Sequence, residues 1–116
     1  MIIVLPPPVA AKKIRKGCML LKIDLQEGFS EDTVVIQVNN REVFRKRGVT
    51  TKMILGLADS IELEVPDLSA IIKVALPSKG LSETISLPLD APVYLGLSVM
   101  NSQIAYIVDQ KPFAYF

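Results

Sequence analysis

From Gly17 to Asp109 the chain is built of short runs in which apolar residues recur at every second position. A turn signal interrupts them roughly every ten residues. In Ser60-Ile61-Glu62-Leu63-Glu64-Val65 every second residue is apolar and the others are charged or small. Pro92-Val93-Tyr94-Leu95-Gly96-Leu97-Ser98-Val99 repeats the pattern with a different outward face. Side chains on a strand alternate between faces, so each run has one buried and one wet face. Many such runs in series predict an all-β fold: an antiparallel two-sheet sandwich of about eight strands, in the style of immunoglobulin-like or jelly-roll domains. A closed barrel is the second architecture the pattern allows.

Eight or nine runs qualify as strands. Cys18–Leu25 places Met19, Leu21, Ile23 and Leu25 on one face and Lys22 and Asp24 on the other. Thr33–Val38 buries Val34, Ile36 and Val38, and Arg41–Arg45 follows. Asn39-Asn40 lies between these two runs. Asn tolerates positive φ, so the pair predicts a two-residue type I′ hairpin. Lys46-Arg47-Gly48 reads as the next turn. Thr51–Leu57 reads as a strand with Met53, Leu55 and Leu57 in phase, and one short helical turn is expected near Gly56–Ser60. Ile61–Val65, Ile71–Leu76, Leu81–Leu87, Val93–Val99 and Gln103–Asp109 complete the series, with Asn101-Ser102 turning between the last two. Ile36, Leu63, Val74, Leu95 and Leu97 are the expected shared core. The run from Asp32 to Val43 resembles the strand–hairpin–strand unit of many immunoglobulin-like and jelly-roll sandwiches. That unit serves unrelated functions and implies fold only.

At 116 residues the chain is long enough for one domain with its own core. Residues 1–16 differ from the rest: an apolar pentad, Pro6-Pro7-Pro8 and a basic stretch form an N-terminal arm, followed by a sandwich domain over 17–116. Thirteen basic against 12 acidic residues leave no basic surplus for nucleic acid. There is no histidine, so the commonest general base and metal ligand are missing. Cys18 is the only cysteine, which rules out an internal disulfide and makes a zinc site improbable. Its apolar neighbours predict a buried, unreactive thiol. No cofactor is expected. The apolar start is too short to span a membrane, and its positive charges follow it instead of preceding it as in a signal peptide. A cytoplasmic protein without membrane association is the expectation.

Four groups of residues are candidates for a site. Asp24, Glu27, Glu31 and Asp32 gather carboxylates around one loop, which is the chemistry of Ca²⁺, although solvated loop acids look the same. Arg41, Arg45 and Arg47 fall on one face of a regular strand and could meet an acidic partner, or protect a sheet edge. Tyr94 and Tyr106 could stack a sugar, although tyrosine is as often half-buried packing. Ile2, Ile3, Val4 and Leu5, with Phe113, Tyr115 and Phe116, form apolar termini that could add to a neighbour's sheet, or cap their own. The expected function is a non-enzymatic binding or assembly module, self-associating through its terminal arms. The alternative is a carbohydrate- or calcium-binding sandwich.

Overall fold

The computed structural model describes residues 17–115; the arm with Ile2, Ile3, Val4 and Leu5 lies outside them, as does Phe116. Eight strands form: β1 (Met19–Leu25), β2 (Asp32–Val38), β3 (Arg41–Val49), β4 (Asp59–Val65), β5 (Ser69–Leu76), β6 (Leu81–Pro88), β7 (Val93–Met100) and β8 (Gln103–Asp109). A single 3₁₀ turn, Pro77–Lys79, links β5 to β6. The strands make two four-stranded sheets, ordered β4-β1-β7-β8 and β3-β2-β5-β6. The sheets face each other as a sandwich and do not close into a barrel.

The alternation explains the core. Leu21, Ile23 and Leu25 of β1 and Leu95 and Leu97 of β7 point inward from one sheet. Val34, Ile36 and Val38 of β2 and Ile72, Val74 and Leu76 of β5 point inward from the other. The most completely buried residues therefore lie on the central strands of both sheets. Ile36, Val74, Leu95 and Leu97 are fully buried as expected, while Leu63 is only half-buried. Leu63 sits on β4, an outer strand, where the facing sheet covers it from one side only.

Four features differ from the sequence reading. One strand pair is not antiparallel: β1 runs parallel to β7, with Leu21 opposite Val93 and Leu25 opposite Leu97. Thr51–Leu57 is a turn in place of a strand. Gly56 N–H donates to the Lys52 carbonyl at 2.8 Å, and Gly56 has φ +67°, so the chain reverses before a ladder can form. Lys46-Arg47-Gly48 is a bulge inside β3, not a turn between strands. The helical turn falls at Pro77–Lys79, while Asp59 and Ser60 already belong to β4.

Both two-residue hairpins form. Asn39 and Asn40 have φ of 50° and 66°, and Asn101 and Ser102 have 53° and 59°, as a type I′ turn requires. Asn39 does more than turn. Its side chain accepts a hydrogen bond from Ile71 N–H at 2.8 Å and donates to Asp67 at 2.8 Å and to the Ser69 carbonyl at 3.1 Å. The β2–β3 turn is thereby fastened to the start of β5.

The two asparagines should respond differently to substitution. Asn40→Gly is expected to be neutral or stabilising, and Asn40→Val to cost about 1–2 kcal/mol, because a β-branched residue resists positive φ. Asn39→Gly should cost about 1–2 kcal/mol despite its suitable backbone, through the lost side-chain bonds. Denaturant melts measure all three, and equal stabilities for Asn40→Gly and Asn40→Val would contradict the turn.

Candidate functional site

The four acidic positions do not converge. β1 and β2 belong to different sheets, so the residues at either end of their connection are carried apart. Glu27 and Glu31 are exposed, whereas Asp24 and Asp32 are buried in separate networks. Among the described residues no group of three or more acidic or cysteine side chains could hold a metal ion. Asp24, Glu27, Glu31 and Asp32 therefore do not form one calcium site.

Asp32 faces inward at the start of β2. It accepts hydrogen bonds from Lys79 Nζ at 2.8 Å, Ser78 Oγ at 3.2 Å and Ser30 N–H at 2.9 Å. Burial alone would raise its pKa, but these donors and the Lys79 charge outweigh burial and hold the carboxyl below its ordinary value. The pair ties β2 to the turn after β5.

Asp24 was expected on a wet face, but it is buried on the outer face of its sheet. Three elements cover it. Ser60 Oγ on β4 donates to one carboxylate oxygen at 2.6 Å, and the Tyr115 hydroxyl donates to the other at 2.6 Å. Gln26 Nε2 donates to the same hydroxyl at 2.9 Å. Gly96 stands opposite Asp24 on β7. A Cβ there would lie 2.7 Å from the Gln26 amide, so glycine is what lets that side chain fold over the sheet. Burial, then the hydrogen bond to Asp24, pushes the Tyr115 pKa up to about 12. Phe113 and Tyr115 are half-buried on the chain's own body. Over the described residues the tail lies on its own sheet, with the Tyr115 hydroxyl bonded to Asp24.

The arginines do not form a stripe. A bulge at Val43 shifts the register of β3, so Arg41 stands opposite inward-facing Val38 and Arg45 opposite outward-facing Val35. Arg45 is engaged in two hydrogen bonds with Glu42, at 2.8 and 3.1 Å. The tyrosines do not form a platform either. Tyr94 lies in register with Lys22 and Asp109 on the outer face, while Tyr106 lies opposite inward-facing Leu97. Two rings on opposite faces of a sheet cannot stack one sugar.

The four sheet edges differ more than the strand pattern suggested. β3 carries Arg41, Glu42, Arg45, Lys46 and Arg47 and two bulges. β4 carries Asp59, Glu62 and Glu64, and its Asp59 is bridged to Lys46 of β3 at 2.8 Å. β6 presents Ser82, Glu83, Thr84 and Ser86 and ends at Pro88. Charge, bulges and proline all discourage pairing with another chain. β8 has none of these between its ends. Ile104-Ala105-Tyr106-Ile107-Val108 runs in unbroken register with β7. Tyr106 is 48% exposed, Ile107 59% and Val108 44%. Tyr106 and Val108 oppose buried Leu97 and Leu95, and still reach solvent along this edge, although β6 and β8 approach each other across the sandwich. This edge escaped the sequence reading. The signal was present: five successive apolar residues do not alternate, and a strand apolar on both faces needs cover on both.

A second apolar feature is the turn at 52–56. Met53 and Ile54 are 93% and 89% exposed at its tip. An open groove of about 460 Å³ separates the turn from Phe113, Ala114 and Tyr115.

Protein-family models and curated proteins offer no match to this chain. Among solved structures, the chain is similar to an NMR structure of a protein from Eubacterium rectale, with a TM-score of 0.52 and 12% identity over 87% of this chain and 97% of that one. At that identity the likeness is one of fold. Among the described residues no helix is long and apolar enough to cross a membrane.

The two buried networks should lose their contributions at opposite ends of the pH scale. Asp32, with a lowered folded pKa, stabilises the fold above its ordinary 3.8 and loses that contribution as pH falls through the folded value. Tyr115, with a raised folded pKa, stabilises it below pH 10 and loses that contribution as pH rises through about 12. Tyr115→Phe should cost about 1.5–3 kcal/mol at neutral pH, as a hydrogen bond to a charged group does, and should flatten the alkaline limb alone. Melts across pH check both, and an unchanged alkaline limb in Tyr115→Phe would contradict the Asp24 contact.

Proposed function

We propose that this protein is a non-enzymatic assembly module that associates by strand addition at the β8 edge. One observation carries the reading: β8 is the one sheet edge, among the described residues, that is apolar, unbulged and without charge over its central five positions. Strand addition supplies main-chain hydrogen bonds for affinity, and alternate side chains set specificity. Soluble domains guard such edges unless something pairs with them. The buried carboxylates support a non-catalytic role, since Asp24 and Asp32 are both engaged by structural donors. The surface that associates is then β8, with the C-terminal tail acting as a cap on the opposite part of the sheet's outer face. The lone Cys18 thiol suits the reducing cytoplasm.

Association by one seven-residue strand buries little area, so it should be weak and depend on concentration. Ile107→Lys places a charge on the outward face of the edge, at a residue already 59% exposed. It should weaken association by about tenfold or more, as an edge charge does, and leave the melting temperature of the dilute protein unchanged. Sedimentation over a range of concentrations measures this. A wild-type protein that stays monomeric up to millimolar concentration, or an Ile107→Lys variant that associates equally well, would overturn the proposal.

A further inference from the structure

Resting on that reading, we infer that the strand added to β8 is β8 of a second copy, antiparallel and centred on Tyr106. The register follows from the hairpin. The two-residue turn at Asn101-Ser102 closes on Met100 and Gln103, which therefore exchange hydrogen bonds. Bonding alternates along an antiparallel pair, so Gln103, Ala105, Ile107 and Asp109 direct their N–H and C=O groups at β7. Ile104, Tyr106 and Val108 direct theirs at the open edge. A two-fold axis at Tyr106 pairs Ile104 with Val108 of the partner subunit and Tyr106 with Tyr106 of the partner subunit. All three outward-directed residues are then satisfied in both copies, with about six hydrogen bonds at two per pair. An axis at Ala105 would place Val108 against the Ser102 turn, and one at Ile107 would place Ile104 against Gln110, beyond the end of the strand.

Side chains and charge fit the same axis. Ile104 meets Val108 of the partner subunit on the core side, and Ala105 meets Ile107 of the partner subunit on the outer side. The ends place Gln103 beside Asp109 of the partner subunit, an amide against a carboxylate. The two Asp109 carboxylates stand six residues apart, about 20 Å at 3.3 Å per residue, beyond the Debye length at physiological salt. A parallel pairing in register would set the two side by side. The arrangement also closes. Pairing consumes the β8 edge of both copies, and the charged edges of β3 and β4 and the polar, proline-ended edge of β6 leave nothing for a third copy to extend, so the product is a two-fold dimer and not a fibre.

Cysteine cross-linking in a Cys18→Ala background tests the register. Opposed residues of a hydrogen-bonded antiparallel pair have Cα atoms about 5.5 Å apart, within disulfide reach. Tyr106→Cys should form a covalent dimer on mild oxidation. Ile104→Cys and Val108→Cys should each stay monomeric alone, because identical positions lie about 13 Å apart along the strands, and should cross-link when mixed, at about tenfold or more above either alone through the raised effective concentration. Tyr106 and Val108 are exposed, so those variants do not depend on refilling the core. Self-cross-linking of Val108→Cys or Ile104→Cys would overturn this register while leaving strand addition standing. Absence of every cross-link, in a protein whose association Ile107→Lys still weakens, would show a partner other than β8 of a second copy. Absence of every cross-link together with no effect of Ile107→Lys would remove both readings.

Discussion

An open sandwich has to deal with four strand edges, and the rest of this structure follows from how each is treated. Every edge presents a row of backbone donors and acceptors that another chain can pair with. β3 answers with five charged residues and two bulges, and β4 with three acids. The two are neighbours across the sandwich and close that margin with the Lys46–Asp59 ion pair. The opposite margin, between β6 and β8, is treated asymmetrically. β6 is polar and ends in proline, while β8 is apolar on both faces. On the proposed reading, the unguarded fourth edge is where a partner strand would add.

The polar groups that bridge separate elements lie where the chain changes direction or sheet. Asp32 fixes the entry of β2 to the Pro77–Lys79 turn. Asp24 joins β1, β4 and the C-terminal tail. Asn39 joins the β2–β3 hairpin to β5. Asp24 and Asp32 are withdrawn from water, and each finds enough donors to offset that cost, while the half-buried Asn39 makes its bonds nearer the surface. Among the described residues no buried side-chain polar atom lacks a hydrogen-bond partner. These joints also specify connections that apolar packing alone would leave open, since Val, Ile and Leu faces fit many strand orders.

Strand existence and inward faces were legible in the sequence because both are local: period-two patterning sets the face, and Asn-Asn sets the turn. Leu95, Val74 and Ile36 needed only their neighbours to be placed correctly. What failed was non-local. The parallel contact of β1 with β7 joins residues some 70 positions apart, and nothing in either run distinguishes a parallel from an antiparallel mate. Asp24 looked solvated because the tyrosine that covers it lies 91 positions away. The arginine stripe dissolved at a bulge, which inserts one residue and reverses every face beyond it. Met53 and Leu55 alternated with strand periodicity, but the positive φ at Gly56 turned the segment back on itself.

The central claim is that the outward-directed backbone of β8 is held open for a partner strand. Amide hydrogen exchange read at single residues over a concentration series tests it most directly. The N–H groups of Ile104, Tyr106 and Val108 should exchange fast in dilute protein and become protected as concentration rises. Those of Ala105 and Ile107, bonded to β7, should be protected throughout, and exposed amides along the β6 edge should not respond. Fast exchange at Ile104, Tyr106 and Val108 at every concentration, or protection there already complete at high dilution, would contradict the account.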